Sequence, residues 1–148
     1  MFAGQIDGAT VVDRNAAESF SHLISTEQPD VVLTQWPIDT HPDHQAASLL
    51  TLRAWLAGDR RFELYYYEVN LGSQTMGFHP TAYVDITPVR EKKKSALFAH
   101  KSQGGEEIYR QYHRPMEDFR GRESGYQTAE AFVHLAHATR GLELPGLR

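Results

Sequence analysis

The sequence contains no cysteine, so disulfides, iron–sulfur clusters and thiolate zinc sites are excluded, and any metal must be held by His, Asp or Glu. It has no excess of positive charge: 15 Lys and Arg stand against 19 Asp and Glu, for a formal charge of −4. That balance argues against a broad nucleic-acid-binding surface, and the local cluster Arg90, Lys92, Lys93 and Lys94 is expected to be the solvated face of a helix. Its apolar runs are far too short to span a bilayer. The opening MFAGQIDGATVVDRN has no basic region followed by an apolar one, so nothing in it marks export and a cytoplasmic location is expected. A glycine-rich phosphate loop and a Ser-His-Asp elbow are missing as well, and QGGEE reads as a polar loop.

What is present fits one globular domain over residues 1–148, with 41% hydrophobic and 23% charged residues. Residues Asp13 to Gln28 place Phe20, Leu23 and Ile24 on one helical face, with Asn15 as the expected cap and Glu18 returning the bond. Pro29 breaks this helix, and DVVLTQW follows as a nearly continuous apolar run, the pattern of a strand buried on both faces. QAASLLTLRAWLAG predicts a second helix stopped by Gly58, and FELYYYEV and AYVDI read as strands. Thr87 and Pro88 open a third helix that ends near Ser102. The polar stretch from Gln103 to Gln127 lacks a sustained period and is expected to be a surface segment with at most one helical turn. TAEAFVHLAHATRG is expected to close the chain as a short helix. Alternating helices and buried strands predict a three-layer, Rossmann-like α/β domain with a mostly parallel sheet, whose site lies at the carboxyl ends of the strands.

The segment DTHPDH occupies that kind of position, between the strand DVVLTQW and the helix that follows. His41, Asp43 and His44 offer imidazole ligands together with a carboxylate to fix a tautomer, and Pro42 stiffens the turn. One imidazole could then bind a metal while the other acts as an acid or an oxyanion stabiliser. The competing reading is a polar helix start in which Asp43 caps and both histidines are solvated. His79, His100, His113, His134 and His137 are expected to be surface or packing residues, His100 at a helix end and His134 and His137 on the closing helix.

These residues carry a resemblance. QPDVVLTQWPIDTHPDHQAA, then YVDITPVREKKKSALFAHKSQ, then AEAF, resemble the LmbE-like or PIG-L family over most of the chain. Members of that family are zinc-dependent enzymes that remove acetyl groups from N-acetylglucosaminyl compounds and related amides. The resemblance implies that His44 is a zinc ligand, that His41 stabilises the tetrahedral intermediate, and that Asp43 is the carboxylate orienting it. Tyr126 is similar to a tyrosine that polarises the substrate carbonyl. The implied partner is a small amino-sugar substrate, and a homo-oligomer is a further candidate.

The sequence departs from the family at its start, where the family carries a strand and an AHPDDE-like segment supplying two more zinc ligands and the general base. The expectation is a domain incomplete at its amino-terminal side and impaired as it stands, with zinc bound only if the site is completed. The alternative is a non-catalytic module that binds a sugar or amide, or that completes its sheet with another chain.

Overall fold

The computed structural model describes residues 4–69 and 71–135. Helix α1 (Arg14–Glu27) leads into strand β1 (Val31–Gln35), helix α2 (Pro42–Ala57), and strands β2 (Glu63–Tyr67) and β3 (Ala82–Asp85). A short 3-10 turn (Thr87–Val89) opens α3 (Arg90–Phe98). Another (Lys101–Gln103) precedes α4 (Gly105–Ile108), a π-helical turn (Tyr109–His113), α5 (Arg114–Ser124) and strand β4 (Ala129–Leu135).

Two apolar clusters on opposite faces explain why the sheet sits in the middle. On one face Leu64 and Tyr66 pack with Trp55 of α2 and Phe62, joined by Ile24 of α1 and by Val32, Val133 and Leu135. On the other, Tyr65, Ala82 and Phe132 pack with Val31, Tyr67 and Val84. The alternation along β2 sends successive side chains to opposite faces, and because both faces are covered its first four residues are all buried. Helix α5 packs against β4 and β3.

The sheet is mixed, which corrects the expectation of a mostly parallel one. Its order is β1-β2-β4-β3. Only β1 and β2 run parallel; β4 pairs antiparallel with both β2 and β3. The last strand returns through the middle, and local hydrophobicity carries no information about strand direction. The segment expected as a closing helix supplies that strand: buried Ala129 and Ala131 face one side of the sheet and Glu130 and Phe132 the other, a period of two that AEAFVHL also permits. His134 therefore lies on β4, stacked on Tyr65 at 4.3 Å and bonded to Glu63, while His137 falls outside the described residues.

Other boundaries shift for local reasons. Asp13, not Asn15, caps α1, its carboxylate accepting from the Ala16 N–H at 2.8 Å. The polar stretch 103–127 is helical from Gly105 to Ser124. Its inward face escapes a hydrophobicity reading because it is charged: Glu117, Arg120 and Gly121 are the buried residues of α5. A Cβ on Gly121 would lie 2.7 Å from the carbonyl oxygen of Gln127, so only glycine admits the chain crossing there.

The basic cluster is likewise only partly a solvated face. Arg90 bonds Glu117 at 3.0 Å and Asp118 at 2.8 Å, and Lys93 bridges Glu117 at 2.9 Å and Glu130 at 2.6 Å. Lys92 stays exposed and Lys94 pairs with Glu91 along the helix. No helix among the described residues is long and apolar enough to cross a membrane.

Candidate active site

The carboxyl ends of the parallel pair, Gln35 and Tyr67, open into the segment that carries the histidines. Two backbone bonds stitch that segment to the loop after β2: Thr40 N–H to the Gln74 carbonyl at 3.0 Å, and Met76 N–H to the Ile38 carbonyl at 2.9 Å. The Trp36 indole N–H adds a third, to the Met76 carbonyl at 3.0 Å. Asp39 and Thr75 sit opposite each other in this short antiparallel bridge.

Asp39 is 1% exposed and its carboxylate is the hub of the turn. Its Oδ1 accepts from the His41 N–H at 2.8 Å and from the Gln74 amide at 3.1 Å, and lies 3.1 Å from His44 Nδ1. Its Oδ2 accepts from the Thr75 hydroxyl at 3.2 Å. The backbone N–H of His41, the Gln74 amide and the His44 imidazole hold this carboxyl below its usual range against the opposing effect of burial.

Helix α2 starts at Pro42 with His41 as its cap, the ring Nδ1 accepting from the Asp43 N–H at 3.3 Å. The cap is thus His41, and not Asp43 as the competing reading had it. The two rings stack with centroids 4.8 Å apart and planes at 28°. Asp43 turns its carboxylate to the amino-terminal segment, accepting from Gly8 N–H at 2.7 Å and Thr10 N–H at 3.0 Å. Those two backbone donors lower its pKa to about 2. The carboxylate set beside an imidazole in this turn is therefore that of Asp39, 3.1 Å from His44 Nδ1.

His44 faces a cavity of about 440 Å³ between the sheet and the helical cover. Leu33, Gln35, Tyr67 and Phe132 form its sheet side; His113, Met116, Glu117 and Arg120 form the cover, with Lys93 and Glu130 beside them. Arg120 is clamped by Glu68 at the end of β2, at 2.6 and 2.7 Å, so the cover is tied to the strand. Tyr126 is not among the lining residues; it follows α5, its N–H bonded to the Gly121 carbonyl.

Sequence reasoning missed Asp39 as the ring's partner, because Gln74 and Thr75, which complete its shell, lie 35 and 36 residues away. It also gave His113 only a surface or packing role. The structure sets His113 in the cavity wall, on the π-helical turn, where burial pushes its pKa down and favours the neutral ring. No spacing in the sequence marks it.

Diacetylchitobiose deacetylase of Thermococcus kodakarensis is 31% identical to this chain over 131 residues, covering 79% of the chain and 49% of that protein. This chain is a homologue of a deacetylase. It spans about half the length of that curated relative. No family model matches it. A conserved protein of Thermus thermophilus superposes with a TM-score of 0.73 at 24% identity, over 98% of this chain and 68% of that one. The N,N'-diacetylchitobiose deacetylase of Pyrococcus horikoshii gives 0.70 at 22%, over 88% and 55%. The 4-carboxy-2-hydroxymuconate hydratase of Pseudomonas putida gives 0.70 at 21%, over 90% and 63%. At these identities the likeness is one of fold, and the fold carries more than one reaction. The choice among reactions must come from the site.

Proposed function

We propose that the chain forms the His44 side of a zinc-dependent N-deacetylase centre that removes the acetyl group from an N-acetylglucosaminyl or related amide substrate. The observation that carries this reading is the setting of His44: an imidazole with a buried carboxylate behind it and a cavity of about 440 Å³ in front. A carboxylate behind a histidine is the usual support of a metal-bound imidazole. The deacetylase relative supplies the reaction class.

The donor chemistry at His44 fits zinc as one ligand. A catalytic zinc takes three protein ligands and keeps an open position. Among the described residues one group of three carboxylate or imidazole donors converges, Asp7, His41 and Asp43, with ligand atoms within 4.8 Å, and His44 is not in it. The other ligands and the general base are accordingly assigned outside the described residues. Zinc bound at such a centre activates a water and polarises the acetyl carbonyl.

The chain's own residues do the rest. His41, stacked beside His44, offers a hydrogen-bond donor to the developing oxyanion. Leu33, Tyr67 and Phe132 present an apolar wall of the kind that takes a sugar ring or an acyl group. Lys93 and Glu130, the more exposed charged groups beside the cover, would supply polar contacts for hydroxyl groups. Tyr126 lies outside the lining, and we assign it no contact with substrate.

The test is zinc binding and acetate release by the purified chain and its His44→Ala variant, with N-acetylglucosamine and N,N'-diacetylchitobiose as substrates. The expected result is zinc binding that is lost in the variant, with acetate release weak or absent from the chain by itself; robust acetate release lost in the variant would show that the chain carries its own remaining ligands and base. Because His44 joins no converging group of three donors among the described residues, a second reading remains in view, a non-catalytic sugar- or amide-binding module. Saccharide binding of equal strength with and without zinc, and no acetate released, would favour it.

A further inference from the structure

The stacked imidazoles of His41 and His44 are held by different kinds of partner. At His41, Nδ1 faces the backbone N–H of Asp43, which can only donate. A neutral His41 must then carry its proton on Nε2. At His44, Nδ1 lies 3.1 Å from a buried carboxylate oxygen, which can only accept while ionised. Two lone pairs at that distance beside a buried carboxylate repel, so a neutral His44 carries its proton on Nδ1 and its lone pair on Nε2.

The Gln74 amide nitrogen also lies 3.2 Å from His44 Nδ1 and 3.1 Å from Asp39 Oδ1, and its two N–H groups could serve both. If one of them donated to His44, the ring nitrogen and the carboxylate would face each other without a proton between them. The carboxylate therefore decides the ring.

We infer that the turn holds its two histidines in opposite tautomers, with Asp39 as the positioning residue that fixes His44 as the Nδ1–H form while the start of α2 fixes His41 as the Nε2–H form. Nitrogen Nε2 of His44 is then a ready electron-pair donor, and Nε2 of His41 a ready hydrogen-bond donor. This division also bears on the group of Asp7, His41 and Asp43. A metal there would take one ring nitrogen of His41, whose Nδ1 lone pair already faces the Asp43 N–H, and one carboxylate oxygen of Asp43, both of which already serve Gly8 and Thr10.

The consequence for zinc rests on the deacetylase reading above; the tautomers do not, and the experiment separates them. The histidine side chains of the ¹⁵N-labelled, metal-free chain would be observed by NMR at neutral pH, with His41→Gln and His44→Gln to assign the two rings. Asp39→Ala and Asp39→Asn would be compared with the wild type, and zinc affinity measured by competition with a chromophoric chelator. The expected result is Nδ1–H for His44 and Nε2–H for His41 in the wild type. Asp39→Asn, whose amide oxygen can still accept, keeps the His44 tautomer; Asp39→Ala loses it. Zinc affinity would fall roughly 10–100-fold in Asp39→Ala and less in Asp39→Asn.

An Nε2–H form of His44 in the wild type overturns the inference, as does a folded Asp39→Ala chain that keeps Nδ1–H. If Asp39→Ala fails to fold, the wild-type spectrum decides alone. Opposite tautomers in a chain that binds no zinc would uphold the inference and sink the metal reading instead.

Discussion

Asp43 illustrates how one residue type can be drawn to a different task from the one its position suggests. Its place in HPDH points to a carboxylate that orients a neighbouring ring, yet its oxygens hold the backbone of Gly8 and Thr10. The pKa is depressed from 3.8 to about 2, so the folded state prefers the ionised form more strongly than the unfolded state does. The contribution is present above the unfolded value and is lost as pH falls through the folded one. We predict that between about pH 4 and about pH 2 the amides of Gly8 and Thr10 lose their protection from hydrogen exchange. In Asp43→Asn the same amides would be unprotected throughout that range. Residue identities were readable in this region; partners contributed by distant backbone were not.

Among the elements, α1, β1, α2 and β2 were legible from their apolar patterning and stop signals, although β1 is an edge strand with Leu33 exposed and not, as expected, buried on both faces. Pro29 ends the first helix, Gly58 the second, and the buried pattern of FELYYYEV needs no partner to be recognised. Helix α5 was not legible, because the face it buries is written in charge. Glu117 is sealed between Arg90, Lys93 and the Tyr109 hydroxyl, and Arg120 is held by Glu68 and Glu123. Such pairs are costly to break from one side, since the abandoned partner stays buried and charged. Glu117→Ala is expected to lower stability by about 3–5 kcal/mol, measured by urea denaturation, with Glu117→Gln intermediate. A loss below about 1 kcal/mol, the level of an exposed pair, would show the network to be solvated.

At the scale of the whole molecule, the layered α/β architecture and the place of the candidate site at the ends of β1 and β2 followed from the order of elements, whereas strand direction did not. The return of β4 between β2 and β3 depends on which edges find each other after the intervening helices have packed. The cavity is equally a product of assembly: Leu33, His44, His113 and Phe132 are far apart in the sequence and meet only when the helical cover closes over the sheet.

The stitching of the 36–41 segment to the 74–76 loop has a bearing on the order in which the molecule acquires its parts. A turn whose hub carboxylate draws on donors 35 and 36 residues away cannot take shape as a local motif. It must wait for the parallel pairing of β1 with β2, and it is the first thing surrendered when the loop lifts away. The amides of Thr40 and Met76 should thus exchange with solvent faster than those of β2, by a local opening that leaves the core intact. Equal rates would mean that turn and sheet open as one unit. In the first case the protein can be fully folded by every bulk measure and still lack its site for part of the time.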